Sequence, residues 1–87
     1  MAANLPWDSP YILVDDLNWR RLNDNESYAN HTFPNGVTAA VIRYAQRWPA
    51  YDVSWSRPCG PTTRSYEAES GLHLYQVNIL LRELAEQ

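Results

Sequence analysis

The chain has no lysine, one cysteine, one phenylalanine and one methionine among its 87 residues. Cys59 alone cannot close an internal disulfide, and a secreted domain this small normally depends on several, so a reducing compartment is expected. No stretch approaches the ~20 consecutive apolar residues of a membrane-spanning helix. Residues 1–10 also lack the positive charge and apolar run of an export signal. We therefore expect neither membrane insertion nor secretion, and read the sequons Asn25-Glu26-Ser27 and Asn30-His31-Thr32 as chance matches. The glycines Gly36, Gly60 and Gly71 stand too far apart to form a phosphate-binding loop. Cys59, His31 and His73 have no metal-ligand spacing such as C-x-x-C or H-x-x-x-H, so no metal or cofactor is expected.

Paired carboxylates are equally scarce. Asp15 and Asp16 would point to opposite faces of a strand and could not share one reacting bond. Glu67 and Glu69 fall just before the C-terminal apolar periodicity, where negative charge suits a helix dipole. Cys59 lies in a Pro-Cys-Gly-Pro turn and reads as a small turn residue rather than a nucleophile. His31, on an apolar strand face, reads as a hydrogen-bonded core histidine rather than a general base, and His73 as a solvent-facing residue at the helix start. No enzyme centre is expected.

What is present is aromatic and arginine-bearing. Four Trp and six Tyr supply the bulk of a small core, and all seven cations are Arg, which favours planar, bidentate and stacking contacts. The net charge is −3, with a basic middle between acidic ends.

Along the chain, residues 1–10 read as an extended arm with Trp7 as its one large anchor, and residues 11–87 as a single α+β domain. The apolar run 11–14 is too short to separate strand from helix. Residues 18–22 alternate as a strand. Residues 27–33 and 37–44 flank Asn35-Gly36, whose tolerance of positive φ predicts a two-residue hairpin turn. That turn would set Phe33 opposite Thr38 and Ala29 opposite Ile42. Ala29, His31, Phe33, Ala40, Ile42 and Tyr44 would then face the core, and Tyr28, Asn30, Thr32, Ala39, Val41 and Arg43 the other side. Tyr51, Val53 and Trp55 alternate with polar residues as a half-buried strand, and residues 62–66 suggest a short edge strand. Leu74, Val77, Leu81 and Leu84, widened by Leu80, predict one amphipathic helix over 72–86. The expected architecture is an antiparallel meander of three to five strands with that helix across one face.

The candidate binding residues come from the interleaving of Arg43, Tyr44, Arg47, Trp48, Tyr51 and Trp55. Rings and arginines on a sheet suit single-stranded nucleic acid, although Tyr51 and Trp55 belong to the face the helix should cover. Trp48 with Arg47, in the loop between two strands, either presents the residue types of an interface hot spot or folds back over the sheet edge. Arg43, Arg47 and Trp48, with Tyr28 beside them, form the expected partner-binding set.

Phe33-Pro34-Asn35-Gly36 followed by a small-residue strand ending in Val41-Ile42-Arg43, then Tyr51-Asp52-Val53, then Gly71-Leu72 with Val77-Asn78 and Leu80-Leu81 in a final helix, forms a recurring pattern. Over about residues 27–86 it resembles small uncharacterised proteins of tailed bacteriophages and prophages, with an F-x-N-G-x-x-A-x-V hairpin and a C-terminal G-L-x-x-x-x-V-N-x-L-L helix. Val37 and the Arg47-Trp48-Pro49 loop are where this chain departs from them. The resemblance implies a phage or mobile-element origin and action in the cytoplasm of a bacterial host, and it transfers no catalytic residue. Set beside the absence of reactive chemistry, that origin leads to the expected function: non-enzymatic inhibition of a host defence complex, in the manner of an anti-CRISPR protein, by a monomer or homodimer that binds a host protein or ribonucleoprotein. Single-stranded nucleic-acid binding and a structural or assembly role in the phage particle are the alternatives.

Overall fold

Period-two alternation builds the body of the molecule and a change to helical period closes it. The computed structural model describes residues 11–87, so the arm expected over 1–10, with Trp7, lies outside the described residues. Strands β1 (Arg20–Arg21), β2 (Glu26–Thr32), β3 (Thr38–Tyr44), β4 (Tyr51–Pro58) and β5 (Arg64–Leu72) form one antiparallel sheet in the order of the chain. Helix α1 (Leu74–Ala85) follows β5 directly and packs on one face. The fold is thus α+β, a five-stranded meander with a C-terminal helix.

Three local elements differ from expectation. Residues 11–13 are neither strand nor helix, and Val14–Asp16 form a 3-10 turn, so Asp15 and Asp16 do not alternate across a strand. The strand expected over 18–22 shrinks to Arg20–Arg21. The edge strand expected over 62–66 instead runs to Leu72, so Glu67 and Glu69 belong to β5 and not to a helix entry. A bulge lets the strand carry on: between the pairs Val53↔Glu69 and Tyr51↔Leu72, β5 has one more residue than β4, and Gly71 there takes φ +71°. The helix that follows is capped by His73, whose backbone N–H donates to Gln76 Oε1 at 2.8 Å.

The β2–β3 turn is the largest correction. Gly36 N–H bonds to Phe33 O (2.9 Å) and Phe33 N–H to Val37 O (2.8 Å), which leaves Pro34-Asn35-Gly36 as a three-residue loop. A two-residue turn would pair Pro34 with Val37, and proline has no N–H to give that pair. In the loop that forms, Pro34 takes the second position of a turn, where its fixed φ fits, and Gly36 takes φ +89°. The register becomes Ala29↔Val41 and His31↔Ala39. One residue of slip exchanges the faces of β3: Ala39 and Val41 enter the core, while Ala40, Ile42 and Tyr44 face the uncovered side with Tyr28 and Asn30.

The covered face holds Ala29, Ala39, Val41, Tyr51, Val53 and Trp55, with Val77, Leu81 and Leu84 of α1 laid on them and Val14, Phe33 and Val37 at the margins. Burying each of the valine and leucine side chains is worth roughly 1.5–3 kcal/mol. His31 is half-buried, edge-on to the Phe33 ring at 4.7 Å. Asn35 reaches back to the helix end, its Nδ2 donating to Leu84 O (2.8 Å) and Gln87 O (2.9 Å), which ties the hairpin tip to the last turn of α1 and the residues that follow it.

Candidate partner-binding surface

The loop between β3 and β4 is fastened at four points. Tyr44 N–H bonds to Ala50 O (2.7 Å) across its mouth, and Ala45 N–H to Asn25 O (2.7 Å) in the β1–β2 turn. Arg47 supplies the other two. Its Nε donates to Pro49 O (3.1 Å), and its two Nη atoms donate to the two oxygens of Asp52 at 2.6 and 3.2 Å. The guanidinium also lies over the Tyr44 ring, 4.0 Å from its centroid. Asp52 accepts a further bond from Gly71 N–H (3.0 Å), so one carboxylate joins the loop, β4 and the β5 bulge. Its pKa is held below the ordinary aspartate value, first by the Arg47 bonds and then by the Gly71 amide, against the opposing effect of burial.

This framework holds Trp48 outward. The ring is 81% exposed, and its one ring neighbour among the described residues is His73, edge-on at 4.9 Å. His73 in turn stacks on Tyr75 at 6.0 Å. Of the two dispositions open for Trp48, the loop-tip one is therefore the one adopted.

The four expected residues do not form a single strip. Arg47 and Trp48 are together. Arg43 turns to the margin of the helix-covered face, where its guanidinium lies 4.4 Å from the centroid of the Trp19 ring, and Trp19 is fixed by a bond from Nε1 to Val14 O (2.8 Å). Tyr28 lies on the uncovered face between Arg20 and Ile42. The slip in β3 register is what parts Tyr28 from Arg43. Most other arginines are engaged as well: Arg21 with Asp24, Arg57 with Glu67, Arg82 with Glu86, and Arg64 with Ser56 and Gly36 O. Sequence reading missed His73 as the neighbour of Trp48, and Tyr75 as the ring stacked on His73. A signal for Tyr75 was present, since it falls outside the buried stripe of α1.

Cys59 is exposed in the β4–β5 turn, with its thiol 3.4 Å from Thr63 Oγ1. Among the described residues, no three His, Cys, Asp or Glu side chains are grouped to hold a metal ion. No described helix is long and apolar enough to cross a membrane. No protein-family model, curated protein or solved structure matches the chain.

Proposed function

We propose that this chain is a non-enzymatic phage or mobile-element protein that inhibits a host defence complex by occupying its surface and blocking nucleic-acid or subunit access. The observation that carries this reading is Trp48, an exposed indole on a loop fixed by the Arg47–Asp52 fork and the Tyr44 ring. Holding the loop in place before contact removes part of the ordering cost of binding. Tryptophan is also the side chain most enriched among residues that dominate binding energy. The phage-like resemblance supplies the host setting. The nucleic-acid alternative has less support, because Arg47 already spends its charge on Asp52 and Arg43 lies over Trp19.

Affinity capture from bacterial host lysate, comparing wild type with a Trp48→Ala, Arg47→Ala pair, tests the reading. Loss of a captured complex in the pair is expected, and equal capture would overturn it. A gel shift with single-stranded oligonucleotide at low salt should give no complex, and a salt-sensitive shift would favour the alternative.

A further inference from the structure

Helix α1 buries Val77, Leu81 and Leu84, and the two large hydrophobic side chains it exposes most are Tyr75 (63%) and Ile79 (55%). They are four residues apart and so sit one above the other on the helix surface. At its upper end Tyr75 stacks on His73, which touches Trp48. At the lower end Ile79 lines a groove of about 270 Å³ with Tyr11 and Leu13, the latter 56% exposed. A continuous apolar ridge thus runs from the β3–β4 loop down the outside of the helix to the start of the described chain.

We infer that this ridge, from Trp48 through His73, Tyr75 and Ile79 to Leu13 and Tyr11, is the docking surface for a protein partner that presents an apolar strip flanked by arginines or lysines. The inference rests on the surface-contact reading above and deepens it by naming the partner's chemistry.

Two observations select that occupant. The first is area. Large apolar and aromatic side chains carry about 150–250 Å² each, so the exposed parts of the ridge offer on the order of 500 Å². A standard-size interface takes about 800 Å² per partner, a little over half of it apolar, and the ridge matches that apolar share.

The second is charge. Leu13 is followed by Val14 and then by exposed Asp15 and Asp16; Ile79 lies one turn from exposed Glu83; and the Tyr11 hydroxyl donates to Glu86 at 2.9 Å. Arg82, the cation on this side of the helix, lies over the Tyr11 ring and 3.9 Å from Glu86. The rim is therefore acidic overall. It repels phosphates, and it repels the same rim on a second copy of this chain, whereas a basic-flanked apolar strip is attracted along the ridge's length. Basic surfaces of this kind are what nucleic-acid-handling proteins present, which agrees with the inhibitory role proposed above.

The test is an amide chemical-shift titration of the full chain with a synthetic helical peptide of leucine and lysine, roughly five turns long. A matched leucine–glutamate peptide and an oligothymidine serve as comparators. The leucine–lysine peptide should saturably shift amides of Leu13, Trp48 and residues 73–83, and the glutamate peptide should bind at least about tenfold more weakly. Tyr75→Ala with Ile79→Ala should weaken peptide binding about tenfold or more, the loss of a hot-spot contact. An unchanged thermal midpoint and circular dichroism would show that this pair still folds. Asp15→Asn with Asp16→Asn should weaken binding a few fold. The inference is overturned by no saturable shift, by equal binding of the glutamate peptide, or by shifts centred on Tyr28 and Ile42. Oligothymidine binding on the ridge, or concentration-dependent ridge shifts in the free protein, would also overturn it. If Trp48→Ala abolished host-complex capture while Tyr75→Ala, Ile79→Ala changed nothing, the ridge would fail and the surface-contact reading would stand. If neither changed capture, both would fail.

Discussion

Neighbouring residues on β3 lead opposite lives. Val41 is buried against Ala29, Val53 and the helix, while Ile42, next in the chain, lies half-exposed on the uncovered face between Tyr28 and Asp52. Across the sheet the same division holds. The covered face gathers the large apolar side chains, and the uncovered face is built mostly of small or polar ones, with Asn30, Ala40, Ser54 and Ala68 in one row. The contrast teaches that the covered face holds the fold together, and that the exposed apolar groups held at the edge of the fold, Trp48, Tyr75, Ile79 and Leu13, answer to something else.

That division can be attacked by substitution. Leu81→Ala on α1 should destabilise most, by about 3 kcal/mol, because it removes a fully buried side chain from the helix–sheet contact; urea unfolding measures it. The neighbours on β3 give the sharper comparison. Val41→Ala should cost about 2 kcal/mol and Ile42→Ala about 1 kcal/mol, although the second deletes more atoms. The reverse order would mean that the register is the one a two-residue turn would set.

Why that register could not be read from β3 is visible in its residues. Ala39 and Val41 are as apolar as Ala40 and Ile42, so alternation offers the core two equivalent faces and only the turn chooses between them. Asn35-Gly36 announced a turn correctly, and Pro34 held the information that lengthens it by one residue. The meander and the helix were legible because β4 alternates cleanly and Val77, Leu81 and Leu84 repeat at helical spacing. The length of β5 was not, since Glu67, Glu69 and Gly71 are poor strand formers placed by pairing with β4 and by the bulge. At the candidate surface, Arg47 and Trp48 could be proposed from residue type. The contact of Trp48 with His73, and through it the link to Tyr75, could not, because it joins segments that only the completed sheet brings together.

A smaller effect is expected at the hairpin tip. Asn35→Ala removes the bonds to the helix C-terminus together with the Asn35 Oδ1 bond to Val37 N–H, and should cost about 1 kcal/mol. Hydrogen exchange should show the loss concentrated in the last turn of α1. Smaller still is the contribution of Asp52, which is conditional on pH. Its folded-state pKa is depressed, so it stabilises the fold above the unfolded aspartate value, about pH 4, and that contribution is lost as pH falls through the folded value. Asp52→Asn should therefore be less stable than wild type at neutral pH, and the two denaturation curves should converge in acid. A gap that persisted unchanged to low pH would place the effect elsewhere.

The most direct test sets stability and binding side by side in one substitution, Trp48→Ala. Because the indole is exposed and the loop is held by Arg47, Asp52 and Tyr44, unfolding free energy should change by no more than about 0.5 kcal/mol while capture of the host complex is lost. A variant that unfolds more easily yet captures the complex as well as wild type would contradict the account, because Trp48 would then serve the fold and not a partner.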